Sequence, residues 1–214
     1  MPNNPPSFDV EQRLYVNDFQ VVVGIDEVGR GALAGPVFAG SVFLGRCAHV
    51  YQAISIKDSK QLSPRARERA YQGLADQLAV SGDFAVGSAS AEEIDEIGIA
   101  PATRMAMVRA IEGMNVRPDA LLIDAVKLSE VAIYQESIIR GDQISLSIAA
   151  ASIIAKVTRD RLMIEMDSKY PGYGFAGNKG YGSSEHISAL QTLGPSPYHR
   201  RSFQPIRGML IGRH

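Results

Sequence analysis

The sequence predicts an α/β fold with a mixed central sheet flanked by helices, followed by a helical C-terminal region. Short runs of apolar and β-branched residues alternate along the chain with longer segments of helical periodicity. Capping signals stand where several of the longer segments begin. With 214 residues, 45% of them apolar and 21% charged, the chain can bury the core of one domain, or of one domain with an appendage.

The expected strands follow an N-terminal arm. Residues 1–17 are rich in Pro and Asn, and we expect them to form a loosely ordered arm. Strands are expected around residues 20–26 and 36–44, on either side of a glycine-rich turn, because both stretches are apolar and β-branched. Further strands are expected at Phe84–Ala89, at Ala120–Asp124 and within Glu130–Arg140.

Capping signals locate the expected helices. Ser63 followed by Pro64 is typical of an N-cap with proline at the first helical position, and Ser90 with Glu93 fits a capping box. The expected helices run from Ser63 to about Val80, from Ser90 to near Gly98, from about Pro101 to Gly113, from about Leu146 to Lys169 and from Ser184 to Leu193. Ala149–Ala151 predicts close packing of the fourth helix against the sheet.

Composition excludes several classes of protein. The single cysteine, Cys47, rules out an internal disulfide, and we expect it to be a small core residue. No apolar stretch is long enough to span a bilayer, and the N-terminus lacks the regions of a signal peptide. We therefore expect a cytoplasmic protein without a membrane partner, with a monomer as the default state.

Charge is distributed unevenly along the chain. Residues 1–155 contain 13 basic and 19 acidic residues, a net charge of −6, and residues 156–214 contain 9 basic and 4 acidic residues, a net charge of +5. A basic C-terminal part opposite an acidic cluster is compatible with a polyanion held across a metal site, although solvated surface charge explains the same numbers.

Two adjacent acids, Asp26 and Glu27, stand at the end of the apolar run Val21–Ile25. An acid at the mouth of a central strand is costly to bury unless it contacts a cation or a basic partner. A short glycine turn, Gly29-Arg30-Gly31, comes next, and its glycines leave backbone N–H groups unobstructed. This arrangement suits an anionic ligand that is approached through a metal.

Two further acids occupy comparable positions. Asp124 ends the apolar run Leu121–Ile123, and Asp142 follows Gly141 just before the long helix. Taken singly, an aspartate at a strand end is more often a turn former or a helix cap. Several acids that converge would repel one another without cations, so convergence indicates hard divalent metals, Mg²⁺ or Mn²⁺. Two such ions roughly 3.5–4 Å apart support in-line phosphodiester cleavage.

Nucleotide binding is a competing interpretation of the same glycines. Gly29, Gly31 and Ala34 match the spacing of the dinucleotide-binding fingerprint, but that fingerprint opens a helix. Here Gly35 leads into an expected strand, and the preceding acids would repel a pyrophosphate. A P-loop fails because Arg30 and Gly31 stand where Lys and Ser or Thr are required. Both nucleotide interpretations are disfavoured.

A succession of short motifs runs along the chain from about residue 20 to 207. They are Gly24-Ile25-Asp26-Glu27-Val28-Gly29-Arg30-Gly31, Lys57-Asp58-Ser59-Lys60-Gln61-Leu62-Ser63, Leu122-Ile123-Asp124, Gly141-Asp142, the segment from Ser147 to Asp160, Tyr173-Gly174-Phe175, Lys179-Gly180-Tyr181 and His199-Arg200-Arg201-Ser202-Phe203. In content and order these motifs resemble those of the prokaryotic type 2 ribonuclease H family (ribonuclease HII). One position departs from the family pattern: Ala125 stands where many members have glycine, in the loop beyond the strand.

The resemblance implies a ribonuclease H-like core at residues 18–170, joined to a C-terminal substrate-binding loop and helical region at residues 171–214 as one compact unit. It implies hydrolysis of the RNA strand in RNA–DNA hybrids and cleavage 5′ to single ribonucleotides in duplex DNA, leaving 5′-phosphate and 3′-hydroxyl ends. The implied catalytic, metal-binding acids are Asp26, Glu27, Asp124 and Asp142. Asp26 would bridge two ions, Asp142 would serve the attacking water, and Asp124 with Glu27 would serve the leaving oxygen.

The resemblance also implies substrate contacts. The backbone of Gly29, Arg30 and Gly31 would test the ribose 2′-OH, and Tyr181 would stack on the sugar at the RNA–DNA junction. Without the resemblance, Tyr181 would more readily be an aromatic residue packing a glycine-rich loop. Candidate phosphate contacts are Lys60, Lys179, Arg200 and Arg201, each of which is equally well a solvated side chain. His186 and His199 lack a zinc-ligand spacing and are expected to be structural or surface residues.

Three rival functions differ from this expectation. A type 3 ribonuclease H cleaves hybrids but handles single ribonucleotides poorly, and its added N-terminal domain has no counterpart before Asp18. A hybrid-binding module without catalysis would gain nothing from four clustered acids. A dinucleotide-dependent oxidoreductase is disfavoured by the strand expected after Gly35. No clamp-binding peptide is recognisable in Ile206–His214, so nucleic acid is the only partner that the sequence indicates.

Overall fold

The computed structural model describes residues 5–46, 48–51, 54, 56 and 62–211, and a mixed five-stranded sheet forms its centre. The strands β1 to β3 pair antiparallel, whereas β4 lies parallel to β1 and β5 lies parallel to β4. The order across the sheet is β3-β2-β1-β4-β5, which confirms the predicted mixed sheet. The strands are β1 (Val22–Val28), β2 (Val37–Phe43), β3 (Asp83–Ala89), β4 (Ala120–Asp124) and β5 (Tyr134–Ile138).

Helices cover both faces of this sheet. The helices of the described part are α1 (Asp9–Val16), α2 (Pro64–Ser81), α3 (Ala91–Ile97), α4 (Ile99–Glu112), α5 (Leu146–Lys169), α6 (Phe175–Asn178), α7 (Ser184–Leu193) and α8 (Ile206–Ile211). The predicted capping signals are confirmed: the Ser63 side chain accepts from the Ala66 N–H, and Ser90 and Glu93 form a reciprocal capping box.

The longest helix, α5, lies against one face at very short range. A Cβ atom added at Gly24 in β1 would lie 2.2 Å from the backbone carbon of Ser147, so only glycine permits this approach. Ala149–Ala151 are fully buried under the sheet, as their sequence predicted. On the opposite face, α4 lies mainly against β2 and β3, and its Ala106 and Met107 share an apolar cluster with residues of β1 and β4. Burial of each large apolar side chain contributes about 1.5–3 kcal/mol.

The N-terminal segment differs from the expected loose arm, because its residues 9–16 form α1. Leu14 of this helix is buried and packs with Val22, Leu122 and Ile148. The Ser7 N–H donates to the carbonyl of Ile144 at 3.0 Å. The Pro- and Asn-rich composition around α1 concealed the helix, since its burial rests on few apolar side chains and on one acid, Glu11.

The C-terminal region is helical, as predicted, and it is attached to α5. Phe175, Leu190 and Ile206 share an apolar cluster with Met163 and Met166 of α5. The same cluster includes Leu33 and Ala34, which follow the glycine turn. The C-terminal region is therefore packed directly behind the turn. No helix within the described ranges is both long and apolar enough to cross a membrane. Cys47 lies outside these ranges.

Candidate active site

Asp26 and Asp124 lie at the same edge of the sheet because β1 and β4 are parallel neighbours. The register pairs Val23 with Leu121 and Ile25 with Ile123. Continued by one residue, it aligns Asp26 with Asp124. Asp26 is buried, with 5% of its surface exposed, and its Oδ1 accepts from the Glu27 N–H at 2.8 Å. The predicted pairing of these two strand ends is therefore confirmed.

Burial and mutual repulsion disfavour the charged forms of the acids on β1. The pKa of Asp26 is raised well above its usual range by burial first, and then by the charges of Glu27 and Asp124. Burial also raises the pKa of Glu27, an effect that the nearby Arg30 guanidinium opposes at 3.1 Å. A divalent cation at this edge would stabilise the ionised forms that the protein alone disfavours.

The fourth acid reaches the same edge through a short turn. Asp142 lies in a 3-10 turn, Gly141–Gln143, directly before α5, and is 3% exposed. The N–H of Gly141 donates to Asp124 Oδ1 at 2.7 Å, which ties this turn to the end of β4. The structure therefore connects all four predicted acids: two on β1, one at the end of β4, and one on the turn bonded to it.

The donor set suits a hard divalent cation. All four side chains offer carboxylate oxygens, and the buried Oε2 atom of Glu27 has no hydrogen-bond partner among the described residues. Within those residues no three His, Cys, Asp or Glu side chains form a ready coordination group. A bound cation would therefore have to draw carboxylates that already share one edge closer together.

The glycine turn that follows β1 contains two glycines with different surroundings. Gly29 has a φ of +92°, and a Cβ atom there would lie 2.3 Å from Nε of Arg159. At Gly31 an added Cβ atom would meet no heavy atom within 4 Å. Protein packing therefore requires glycine at position 29 but not at position 31, where the exposed backbone faces open space.

Arg200 corrects one of the sequence-based expectations. It was a candidate phosphate contact, but it is fully buried, and its guanidinium donates to the carbonyls of Gly29, Arg30 and Gly35 at 2.7, 2.8 and 2.9 Å. Burial, together with the charge of Arg159, lowers its pKa to about 9. Arg200 thus supports the glycine turn from behind and cannot reach a phosphate from its buried position.

Arg159 has a similar supporting role that sequence reasoning missed. Its guanidinium donates to the carbonyls of Ala34, Pro36 and Lys179 at 3.1, 2.9 and 2.9 Å. It joins the segment after the glycine turn to the loop that carries Tyr181. Its helical position in a basic stretch gave no sign of burial, because its acceptors are backbone carbonyls from distant parts of the chain.

Tyr181 lies beside the turn that it was expected to assist. The carbonyl of Gly180 accepts from the N–H groups of Leu33 and Ala34 at 2.7 and 3.3 Å, so its loop is bonded to the segment after Gly31. The Tyr181 ring is partly exposed, and the Arg159 guanidinium carbon lies 5.5 Å from its centroid. The ring is held in place on one side and open to a ligand on the other.

Two buried histidines, His186 and His199, hold the same loop in place. This confirms the expectation that they are structural residues. His186 Nδ1 lies 2.8 Å from the Tyr181 carbonyl and must donate to it, and His199 Nδ1 accepts from the Ser196 N–H at 3.0 Å. Their Nε2 atoms are 2.9 Å apart, so His199 donates and His186 accepts. This arrangement requires both rings to be neutral.

The structure gives less information about the other candidate phosphate contacts, Lys179, Arg201 and Lys60. Lys179 is partly buried, and its ammonium donates to the Ala176 carbonyl of its own loop. Arg201 is exposed, and its backbone N–H donates to Asp95 at 2.7 Å. Lys60 lies outside the described residues.

Ser152 of α5, which sequence reasoning did not single out, hydrogen-bonds Asp26. This bond lowers the pKa of Asp26, whereas burial raises it.

Ala125, the departure from the family pattern, has a φ of 50°, in the left-handed region where glycine is favoured. Its N–H donates to the Ile138 carbonyl at 3.1 Å, so the loop after β4 keeps its backbone pairing. Alanine at this position costs about 1–2 kcal/mol relative to an unstrained conformation.

Comparisons with known proteins agree with this fold. The family model described as Ribonuclease HII matches residues 23–206, a range that contains all four acids. Ribonuclease HII of Chloroflexus aggregans is 50% identical over 207 residues, which cover 96% of this chain and 96% of that protein. The ribonuclease H2 structure from Pyrococcus horikoshii OT3 matches with a TM-score of 0.73 and 27% identity, over 88% of this chain and 96% of that chain.

A second solved structure shares the fold at lower identity. RNase HII from Archaeoglobus fulgidus, solved as a complex with PCNA, matches with a TM-score of 0.72 and 23% identity. The match covers 86% of this chain and 95% of that chain.

Proposed function

This chain belongs to the ribonuclease HII family, and we propose that it cleaves duplex DNA on the 5′ side of a single embedded ribonucleotide. The family is one of metal-dependent ribonucleases H, endonucleases that act on RNA–DNA hybrids. The finer proposal includes two Mg²⁺ or Mn²⁺ ions per site and products with 5′-phosphate and 3′-hydroxyl ends. Its cellular consequence would be removal of misincorporated ribonucleotides by a monomeric, cytoplasmic enzyme.

One observation carries the proposal: buried and half-buried acids share a sheet edge directly beside a glycine turn that is exposed at Arg30 and Gly31. Asp26 and Glu27 precede Gly29 by two or three residues on the same strand and turn, so a phosphate at the acids would place its sugar near the turn. A site for phosphodiester hydrolysis and a site for sugar discrimination are thus adjacent. A general nuclease needs only the first of these.

The acids hold the cations in this proposal. When bound, two divalent ions stabilise the attacking and leaving oxygens of an in-line displacement. Asp26 would contact both ions, Asp142 would lie on the side of the attacking water, and Asp124 with Glu27 would lie on the side of the 3′ oxygen. Arg30, paired with Glu27 at 3.1 Å, limits the repulsion between the acids before substrate arrives.

The glycine turn and Tyr181 supply the selectivity. An exposed backbone without a side chain at Gly31 permits close approach of a sugar, and its polar groups can hydrogen-bond a 2′-OH that deoxyribose lacks. Tyr181, whose neighbour Gly180 accepts hydrogen bonds from the adjacent segment, offers a ring face for the sugar that follows the ribonucleotide. The two elements would therefore read one ribose and one deoxyribose at the junction.

Mapping a single cut tests the proposal. The protein is incubated with Mg²⁺ or Mn²⁺ and three labelled duplexes: all-DNA, DNA with one ribonucleotide, and a long RNA–DNA hybrid. We expect no cut in the first, one cut 5′ to the ribonucleotide in the second, and multiple cuts in the third. Excess EDTA should abolish cleavage while circular dichroism shows an unchanged fold.

Each alternative has its own outcome in this experiment. Cleavage of the hybrid alone would favour activity of the type 3 kind, and binding without any cut would favour a hybrid-binding module. Full activity in excess EDTA would contradict the metal-dependent mechanism.

A further inference from the structure

The N-terminal helix α1 has one fully buried acid, Glu11, which is not among the four acids of the candidate active site. Glu11 is fully buried, and its Oε1 atom accepts three hydrogen bonds: from Ser145 Oγ at 2.6 Å, from the Ser147 N–H at 2.8 Å and from Ser147 Oγ at 2.6 Å. All three donors lie at the start of α5. A buried carboxylate is costly unless such bonds compensate for its lost hydration.

These bonds attach α1 to the turn that carries Asp142. The N–H of Ser145 donates to the carbonyl of Gly141 at 2.8 Å, one residue before Asp142. The Gly141 N–H in turn donates to Asp124 Oδ1 at 2.7 Å. A continuous chain of hydrogen bonds therefore runs from Glu11 through Ser145 and Gly141 to one predicted metal ligand, and it flanks another.

A second connection leads from Glu11 to β1. The carboxylate holds Ser147, whose backbone carbon would lie 2.2 Å from a Cβ atom at Gly24. Gly24 is two residues before Asp26 in the same strand. The start of α5 is thus fixed at once to α1, to the Asp142 turn and to the strand of Asp26.

The segment before α1 strengthens the attachment. The Ser7 N–H donates to the Ile144 carbonyl at 3.0 Å, and the Leu146 N–H donates to the Ser7 carbonyl at 2.9 Å. These bonds enclose Ser145, the residue that Glu11 contacts. The contacts differ in kind from those of Arg13 on the same helix, which forms an exposed ion pair with Glu136 at 2.6 Å.

We propose that Glu11 is a positioning residue that holds the Asp142 turn in the geometry required for divalent-metal binding. The proposal rests on the proposed function, since it concerns the same site. Glu11 touches neither substrate nor the reacting atoms. It acts through Ser145 and Ser147, as residues behind metal ligands do, and loss of such a residue typically lowers metal affinity or activity about 10- to 100-fold.

The test compares Glu11→Ala with Arg13→Ala, a matched change on the exposed face of the same helix. Mn²⁺ binding is measured by calorimetry without substrate, at a temperature where circular dichroism shows each variant fully folded. Single-ribonucleotide cleavage gives kcat and KM separately. We expect Glu11→Ala to weaken Mn²⁺ binding and lower kcat about 10- to 100-fold with KM nearly unchanged, and Arg13→Ala to match the wild type.

Two further variants keep the test decisive if Glu11→Ala folds poorly. Glu11→Gln retains an acceptor oxygen and should keep most of the Mn²⁺ affinity. Ser147→Ala removes one of the three hydrogen bonds to Glu11, because the backbone N–H of residue 147 remains, and it should show a smaller loss. In a double-mutant cycle, Glu11→Ala and Ser145→Ala should be non-additive, because both break one connected chain.

The outcomes separate this inference from the proposed function. If the folded Glu11 and Ser147 variants bind Mn²⁺ and turn over like the wild type, Glu11 serves only stability and the inference is wrong. If the wild-type protein itself neither binds Mn²⁺ nor cuts at a ribonucleotide, the proposed function fails instead.

Discussion

Arg200 donates a hydrogen bond of 2.7 Å to the carbonyl oxygen of Gly29, although the two residues are 171 positions apart in the chain. This bond connects the C-terminal region to the turn that we propose reads the ribose. Behind the turn lie the buried guanidinium groups of Arg200 and Arg159, which donate to backbone carbonyls. The shape of the turn therefore depends on residues that never face the substrate.

Arg200→Lys should reduce cleavage by distorting the glycine turn, with little effect on the salt dependence of binding. Lysine cannot reproduce three bonds in a planar fork, and unpaired buried carbonyls cost about 1–3 kcal/mol each. Hybrid binding is measured at several salt concentrations without divalent metal, alongside cleavage. Arg201→Ala is the comparison: if its exposed side chain contacts a phosphate, the salt slope should fall by about one. A lower slope for Arg200→Lys would contradict its structural role.

Gly29→Ala and Gly31→Val should fail for different reasons. At position 29 the positive φ and the contact with Arg159 should cost about 1–3 kcal/mol of unfolding free energy. At position 31 the protein leaves open space, so Gly31→Val should fold with wild-type stability yet suppress cutting at a single ribonucleotide. Urea unfolding and cleavage rates separate the two effects. Normal cutting by a well-folded Gly31→Val enzyme would show that ribose is read elsewhere.

Tyr181→Ala should slow cleavage at the junction more than it weakens binding of a long hybrid. The ring would stack on one sugar, whereas basic side chains along the groove supply most of the affinity. Rates and binding are measured on a single-ribonucleotide duplex and on a hybrid, with Tyr181→Phe as the control that keeps the ring. Equal losses in all four measurements would mean that Tyr181 only holds its loop.

The main elements of the fold followed from sequence patterns because the signals were local. Ala120–Asp124 and Leu146–Lys169 have the predicted bounds, since apolar content and capping residues determine each within a single segment. β1 continues two residues past its expected end, through Glu27 to Val28, because pairing with β2 extends it. The alignment of Asp26 with Asp124 needed only the assumption that their strands are neighbours.

The sequence did not predict the roles of residues whose hydrogen-bond partners lie far away in the chain. Arg200 reads as a surface residue in a basic stretch, and only the folded structure brings three carbonyls to its guanidinium. Glu11 lies in a polar segment with few apolar neighbours, so its burial at the start of α5 left no pattern to detect. The roles of the four acids, Tyr181, Lys60, Lys179 and Arg201 stay predictions.

Stability should fall as the pH decreases from about 6.5 to about 4, partly because of His199. Burial, and then the nearby His186, lower its pKa from 6.5 to about 4. In this window the unfolded chain binds a proton that the folded protein does not, so the unfolding free energy decreases with decreasing pH. The effect of His199 amounts to about 3 kcal/mol at most.

Urea unfolding of the wild type and of His199→Gln at pH 7 and pH 5 checks this expectation. The variant lacks the titrating ring, so its loss of stability over this interval should be smaller, whatever its absolute stability. Carboxylates titrate in both proteins and cancel in the comparison. If the wild type and His199→Gln showed the same pH dependence of stability, groups other than His199 would be responsible for it.

The most direct test of the proposed mechanism is single-turnover cleavage of a single-ribonucleotide duplex by Asp142→Asn, with binding measured on the same samples. The substitution deletes a proposed metal ligand and relieves like-charge repulsion at the sheet edge. We expect wild-type or tighter binding, an unchanged or higher melting temperature, and cleavage reduced by at least about 100-fold. Near wild-type cleavage, or an unfolded variant, would show instead that Asp142 is a structural cap.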